Sequence, residues 1–188
     1  MDIQKFKELE QELGTTLTIG MLDWYEISSS YHALKEDFIR KYKGYVDWDC
    51  ISKFQILSED FIREFKHAVD WKAICENQKL SEDFIREFQD RLDLRRISYF
   101  QKLSEPFIRE FKDKVDWDCI SSNQKLSEDF MREFKDKVNW WNISFHQKFS
   151  EDFINEFKDK IWLRYVLENK NISTELKKNI KQRLFKSE

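Results

Sequence analysis

Histidines, cysteines and clustered acidic side chains are the residues of this chain whose chemistry could serve catalysis or metal binding. The three histidines, His32, His67 and His146, are isolated from one another in the sequence. No set of cysteines and histidines has the spacing of a metal site. The chain also lacks a nucleophile elbow, a phosphate-binding P-loop and a dinucleotide-binding fingerprint. We therefore expect a protein that is not an enzyme and needs no metal or cofactor.

The acidic residues recur at fixed places, which indicates a structural role. The phrase Leu-Ser-Glu-Asp-Phe-Ile-Arg-Glu-Phe begins at Leu80 and recurs with small changes every 23 residues, at Leu57, Leu103, Leu126 and Phe149. A fixed period of this length is typical of repeat proteins. In every copy the acidic residues follow a serine, so the serine is placed to cap a helix and the acids lie in its first turn. We therefore expect these carboxylates to stabilise helices, and not to act as paired acids and bases.

Each repeat is predicted to contain two short helices. The first begins at Trp48, Trp71, Leu94, Trp117, Trp140 or Leu163 and spans about eight residues. In all but the last of these copies it follows an Asp or Asn that is placed to cap it. The second follows the capping serine and spans about ten residues, with Phe61, Ile62, Phe65 and Val69 as its apolar stripe in one copy. Helices this short are unstable alone. They can bury their apolar residues only by stacking on the next copy, which predicts an all-α solenoid. A coiled coil is the structural alternative, but capping signals interrupt any heptad twice in each repeat.

The repeat divides the chain into three parts. Six tandem two-helix repeats are expected over residues 24–162, with an atypical N-terminal cap at 1–23. Residues 163–188 are predicted to form a decayed repeat that ends in a basic C-terminal cap, as terminal repeats often differ from internal ones. The stretch from 14 to 23 does not fit the repeat.

Positions that vary between repeats are those that a binding partner of a solenoid contacts. Counting the first residue of each first helix as zero, the varying offsets are one, two, five and six. Several of these positions carry aromatic or arginine side chains, the types enriched at protein interfaces. The alternative is that they pack against the adjacent repeat or are isolated surface aromatics. The predicted contact residues are Phe54, Arg95, Arg96, Tyr99, Phe100, Trp141, Phe145 and His146.

A glutamine recurs at offset seven, as Gln78, Gln101 and Gln124 show, until Lys170 breaks the series. Two structural roles are open for it. The glutamines bond one another along the stack, or they satisfy the carbonyl groups of the turns.

Composition restricts the kinds of partner and the cellular compartment that we expect for this chain. The chain has no long apolar run and no signal-peptide pattern at Met1, so we expect no membrane contact. Its three cysteines suit a reducing cytoplasmic interior. A protein partner is the first expectation. Nucleic-acid binding through the basic tail and Arg95, Arg96, Tyr99 and Phe100 is the alternative, although the net charge is −3. Mimicry of nucleic acid by the acidic residues is weakened by the basic residues between them.

The phrase LSEDFIREFKDKVDW, nearly intact at Leu103–Trp117 and Leu126–Trp140, resembles short tandem helical repeats in uncharacterised proteins of large DNA viruses and phages. The resemblance covers about residues 24–162. It implies a viral or phage factor that acts inside a host cell by binding, and blocking or recruiting, a host or defence protein. No catalytic residue is implied by it.

Overall fold

The computed structural model of the chain describes residues 7–8, 10–12, 14, 23–29 and 34–184. All regular elements in these ranges are helices, which confirms the predicted all-α fold. The first helices of successive pairs are α1 (Trp24–Ser29), α3 (Trp48–Phe54), α5 (Trp71–Asn77), α7 (Leu94–Phe100), α9 (Trp117–Asn123), α11 (Trp140–His146) and α13 (Leu163–Glu168). The second helices are α2 (Glu36–Lys41), α4 (Glu59–Glu64), α6 (Glu82–Glu87), α8 (Glu105–Glu110), α10 (Glu128–Glu133), α12 (Glu151–Glu156) and α14 (Thr174–Leu184).

Two compact units make up the chain: unit 1 is Met1–Phe84 and unit 2 is Ile85–Glu188. In unit 1, α1 contacts α3 and α3 contacts α5. In unit 2, α7 contacts α9, α9 contacts α11, and α11 contacts α13. Each unit is therefore a stack of two-helix repeats of the solenoid type, with the first helices in one layer. None of the helices in the described part of the chain is long and apolar enough to cross a membrane.

The two ends of the chain depart from the regular repeat. Residues 7–8 and 10–12 are helical, and Gly14 has a φ of 63°, the left-handed conformation expected where glycine ends a helix. The other residues of the predicted N-terminal cap, apart from Asp23, lie outside the described residues. At the other end α14 has 11 residues, against six in the other second helices, and contacts α13.

The first helices begin where the sequence predicts. The Asp116 carboxylate accepts a hydrogen bond from the backbone N–H of Cys119 at 2.9 Å. The side chain of Asn139 accepts from the N–H groups of Trp141 and Asn142. These bonds satisfy N–H groups that have no partner inside the helix. The same capping is made by Asp47, Asp70 and Asp93.

The second helices begin at the predicted serines but end early. The Ser127 hydroxyl oxygen accepts from the N–H of Phe130 at 3.1 Å, and the other capping serines do the same. Each helix then has six residues instead of the expected ten. At Phe111 the backbone turns to φ −103° and ψ 21°, and the N–H groups of Lys114 and Val115 both bond to the Phe111 carbonyl. The chain therefore makes a separate turn that leads back to the next first helix, and the predicted stripe is divided between the helix and this turn.

The core lies between the two helix layers. Phe61, Phe84, Phe107, Phe130 and Phe153 are completely buried, and burial of such a side chain contributes about 2–3 kcal/mol to folding. The tryptophans that open the first helices are half-buried at the edge of this core. The ring of Trp117 lies 5.0 Å from that of Phe134, and its Nε1 donates to the carbonyl of Lys112 at 2.9 Å.

Within each unit, the recurring glutamine joins a repeat to the one before it. The Gln124 Nε2 group donates to the backbone carbonyls of Ser98 at 3.0 Å and Gln101 at 2.8 Å. Its Oε1 atom accepts from the N–H of Leu103 at 2.9 Å. The second of the two predicted roles is thus confirmed, since the acceptors are backbone carbonyls. Gln78 makes the equivalent three bonds in unit 1, and Gln147 makes them in unit 2.

The expectation that Lys170 ends this series is wrong in one respect. Because α13 is one residue shorter than the other first helices of unit 2, Asn169 takes the C-cap position. Its Nδ2 group donates to the carbonyls of Ser144 at 3.0 Å and Gln147 at 2.8 Å. The C-terminal pair is therefore attached to the repeat before it by the same kind of bond.

A serine at offset four provides a second connection. The Ser121 hydroxyl donates to the Trp117 carbonyl at 2.6 Å and accepts from the N–H of Asn139, the N-cap of the next repeat, at 2.9 Å. The small side chain permits close approach of the helices here, and its hydroxyl also satisfies a backbone N–H. Ser52, Ser98 and Ser144 make both bonds, and Ser28 accepts from the N–H of Asp47.

The second helices are linked by charged groups. In unit 2 the Glu105 carboxylate accepts from the N–H of Ser127 at 2.6 Å, and the Arg109 guanidinium lies 2.8 Å from the Glu133 carboxylate. The same guanidinium lies 4.9 Å from the centre of the Phe130 ring. The arginines and glutamates of the second helices are thus used to hold repeats together, which leaves the first helices as the layer that differs from repeat to repeat.

Candidate interaction surface

The outer face of the first-helix layer is formed by offsets one, two, five and six and by the residue that follows each C-cap. Offset one is exposed in every described repeat, so the predicted ridge at offsets one and five does point outward in large part. Offset two differs from the prediction. Cys50, Ala73 and Asn142 are buried at this position, and Asn142 Nδ2 donates to the carbonyl of Asp118 in the repeat before it at 3.1 Å. Side chains at offset two therefore lie against the preceding repeat and are not a second free ridge.

Helix α7 carries the first aromatic group of unit 2. Tyr99 is 56% exposed and Phe100 is 47% exposed, and their ring centres lie 4.7 Å apart with one ring edge-on to the other. Arg95 on the same helix is exposed. Arg96 is half-buried, with its Nε atom 3.5 Å from the Asp93 carboxylate. Four of the predicted contact residues are therefore on one helix, and we call Tyr99 and Phe100 the α7 pair.

A larger aromatic group covers α11 and α13. The rings of Trp141 and Phe145 are parallel, with centres 5.9 Å apart. Tyr165 stands edge-on to both, at 5.4 Å from Trp141 and 6.3 Å from Phe145. His146 lies edge-on to Phe145 at 4.8 Å, and Trp162 is 6.1 Å from Tyr165. We call these five residues the α11–α13 cluster.

Two members of this cluster were missed by the sequence analysis. Tyr165 and Trp162 fall in or beside the segment that was interpreted as a decayed cap. Tyr165 occupies offset two, which lies against the preceding repeat, and so it meets Trp141 and Phe145. Trp162 is 58% exposed, the largest exposed fraction in the cluster. The signal in the sequence is an aromatic side chain at a varying offset for Tyr165 and, for Trp162, an aromatic residue directly before a first helix.

Phe54 is the predicted contact residue of unit 1. It lies on α3 and is 48% exposed, with the Lys53 ammonium 5.1 Å from its ring centre. Tyr25, Tyr45 and Ile56 are other exposed apolar side chains of this unit. The structure therefore places seven of the predicted residues in two groups on unit 2, one on α7 and one on α11, and Phe54 in unit 1.

Charge is distributed unequally over the outer faces of the two units. In unit 1 the described face carries three basic and three acidic residues, namely Lys53, Lys72, Lys79, Glu26, Asp49 and Glu76. In unit 2 it carries seven basic and two acidic residues, namely Arg95, Arg96, Lys102, Lys125, Lys148, Arg164, Lys170, Asp118 and Glu168. The face of unit 2 is thus basic in a chain whose net charge is −3.

Groups for covalent or metal chemistry are not assembled in the described part of the chain. No set of three or more His, Cys, Asp or Glu side chains there is arranged to hold a metal ion. Burial raises the pKa of the Cys50 thiol to about 11, with the nearby Asp47 carboxylate adding to the effect. Burial and Asp116 likewise raise the pKa of Cys119 to about 11. Both thiols are therefore protonated near neutral pH, the unreactive form.

Comparison of the chain with protein families, with curated proteins and with solved structures finds no match.

Proposed function

We propose that this chain is a non-enzymatic repeat scaffold that binds a protein through the outer face of unit 2. The observation that carries the proposal is the α11–α13 cluster together with the α7 pair. Trp141, Tyr99 and Phe100 are each more than two-fifths exposed. Burial of such large apolar side chains is favourable, so their exposure forgoes that stabilisation. Contiguous exposed aromatic groups are uncommon on monomers and are typical of binding surfaces.

The surrounding fold supports a binding role. The glutamine and serine bonds hold the first helices at fixed spacing, so the aromatic side chains are presented on a rigid layer. A preorganised surface loses little conformational freedom when a partner binds. The resemblance of the repeat phrase implies a viral or phage origin. Because such a factor acts inside a host cell, we propose that the partner is a host or defence protein that the scaffold blocks or recruits.

The nucleic-acid alternative is favoured by the basic residues that accompany exposed rings in unit 2, because single strands bind to such combinations. Asp118 and Glu168 oppose it, since they place negative charge on the same face. This alternative predicts a gel shift with single-stranded DNA or RNA at low salt that weakens steeply as salt is added. Absence of a shift at low salt excludes it.

Affinity capture from an extract of the native host, followed by mass spectrometry, tests the proposed function. The wild-type chain is compared with Tyr99→Ala/Phe100→Ala and with the control Phe54→Ala, whose side chain is exposed to the same degree as that of Phe100 but lies in unit 1. We expect one protein to be captured by the wild type and by the control, and to be lost with the double variant while its helical circular dichroism is unchanged. A captured protein that the double variant retains in full excludes the α7 pair as a contact.

A further inference from the structure

We infer that the segment bound by unit 2 is an acidic peptide with apolar side chains between its acids. This inference rests on the proposed function and adds the chemistry of the partner. It is drawn from three features of the described residues: the excess of basic groups on the outer face of unit 2, the lack of an ion pair at all of these groups but Arg96, and the arrangement of the aromatic rings.

The basic residues of the two helix layers differ in their partners. In the second-helix layer of unit 2, Arg86, Arg109 and Arg132 each lie 2.8 Å from a glutamate of the next repeat. On the outer face, by contrast, most basic side chains are exposed and make no ion pair with a described residue: these are Arg95, Lys102, Lys125, Lys148, Arg164 and Lys170. Their charge is therefore available to an external anion, and a complementary partner is attracted at long range.

Three of the unpaired lysines on the outer face also occupy equivalent positions in successive repeats. Lys102, Lys125 and Lys148 each follow the buried glutamine that ends a first helix, so they recur at the carboxyl ends of α7, α9 and α11. The glutamine bonds fix the backbone at these points. The three ammonium groups thus form a row along one edge of the outer face, with the aromatic residues of the same helices beside it.

Edge-on contacts predominate among the outer-face aromatic residues of unit 2. Tyr165 stands edge-on to Trp141 and Phe145 with interplanar angles of 70° and 69°, and Phe100 stands at 71° to Tyr99. Rings that meet edge-on cover part of a ring face with a neighbouring ring edge, which leaves less of that face free. Bases of a single strand stack on free ring faces. Together with Asp118 in the middle of the face, this geometry favours a peptide, whose acids are spaced, over a continuous polyphosphate.

The spacing of the two aromatic groups bounds the length of the segment. Helices α7 and α11 are two repeats apart, and neighbouring helices pack at about 10 Å, so the groups are about 20 Å apart. An extended chain covers this distance with about six or seven residues. A short linear segment is thus long enough to contact both groups and the lysines between them.

The test uses the full chain and a fluorescein-labelled peptide of about 16 residues, ample at about 3.3 Å per residue, in which Asp and Glu alternate with Leu and Phe. Fluorescence anisotropy is measured against this peptide, a version with Lys in place of the acids, a version with Ser in place of the apolar residues, and a thymidine oligonucleotide. We expect the acidic apolar peptide to bind at least about tenfold more tightly than the other three, a difference of about 1.4 kcal/mol. Its affinity should fall as salt is raised.

Charge reversal locates the site. The variant Lys102→Glu/Lys125→Glu/Lys148→Glu should weaken binding of the acidic apolar peptide at least tenfold, because it removes the row of cations from unit 2. The matched control Lys53→Glu/Lys72→Glu/Lys79→Glu changes the net charge equally on unit 1 and should leave the affinity within about twofold of the wild type at about 0.15 M salt, where exposed charges act over only about 8 Å.

Four results overturn the inference: no binding of the acidic apolar peptide, equal binding of the Ser version, tighter binding of the oligonucleotide, or equal weakening by both charge reversals. The proposed function fails separately. If affinity capture yields a protein that depends on Tyr99 and Phe100 while the acidic apolar peptide does not bind, unit 2 is a protein-binding surface of different chemistry.

Discussion

At the scale of single residues, one buried amide group determines how neighbouring repeats meet in unit 2. The Gln124 side chain bonds to two backbone carbonyls and one backbone N–H of the preceding repeat. These groups lie away from water, where an unsatisfied polar group costs about 1–3 kcal/mol. The glutamine is therefore a structural contact and not part of a ligand site.

Replacing Gln124 with Leu leaves those three backbone groups without their partner. We expect the free energy of unfolding, measured by urea denaturation, to fall by about 3 kcal/mol or more. The neighbouring exposed variant Lys125→Ala serves as control and should change it by less than about 0.5 kcal/mol. A Gln124→Leu protein as stable as this control contradicts the role assigned to the glutamine.

The cysteines give a prediction that depends on pH. Burial first, and the nearby Asp116 carboxylate second, raise the pKa of Cys119 to about 11 in the folded chain. In the unfolded chain the pKa of Cys119 returns to its ordinary, lower value. Protonation of Cys119 therefore stabilises the folded state in full below that ordinary value, and this contribution to the free energy of unfolding is lost as the pH rises towards 11.

At pH 8, Cys50 and Cys119 should therefore react slowly with iodoacetamide in the folded chain and at the rate of free cysteine in denaturant. The rate at each residue is followed by mass spectrometry of peptides. Folded Cys119 that reacts as fast as the denatured residue would show that its thiolate is not disfavoured.

At the scale of elements, the helices depend on their neighbours. Helix α7 has seven residues and α8 has six, whereas isolated helices shorter than about 12–15 residues are marginal in water. Their capping bonds are local, but the core contacts and the glutamine bonds come from adjacent repeats.

A synthetic peptide that spans residues 93–115, one complete repeat, should thus show little helical signal by circular dichroism, while the full chain is strongly helical. A peptide with Ser104→Ala serves as a reference for loss of a cap, and should differ little because there is little helix to lose. A wild-type peptide that is as helical per residue as the full chain contradicts the dependence on neighbours.

The sequence predicts these elements where the deciding interaction is local. The N-caps at Ser127 and Asp116 are recognisable because each side chain bonds to an N–H three residues away. The end of a second helix at Glu110 is not, because Phe111 and Val115 continue the apolar pattern through the turn that follows. There the chain direction is set by contacts with the next repeat.

The candidate surface was predictable to a similar extent. Variation at offset one correctly marks exposed positions such as Trp141. It fails at offset two because burial of Asn142 depends on the preceding repeat, which periodicity within one helix does not reveal. Tyr165 was missed for the same reason, since it joins the aromatic cluster through contact with Trp141 of the preceding repeat.

At the scale of the whole molecule, charge differs between the two helix layers and between the outer faces of the two units, whereas exposed apolar side chains occur in both units. The acidic residues and arginines of the second helices form ion pairs between neighbouring repeats, as Arg132 and Glu156 do at 2.8 Å. The outer face of unit 2 retains unpaired basic groups and exposed aromatic rings, while that of unit 1 has balanced charge. A regular repeat supplies the scaffold, and departures from the consensus in α7, α11 and α13 supply the binding surface that we propose.

Hydroxyl-radical footprinting of the full chain, with and without the protein recovered by affinity capture, tests most directly whether the outer face of unit 2 is the interaction surface. The account predicts that Tyr99, Phe100 and Trp141 lose reactivity in the complex, while Tyr25 and Phe54 in unit 1 retain theirs. Unchanged reactivity of Tyr99, Phe100 and Trp141 in a complex that protects other residues would contradict it.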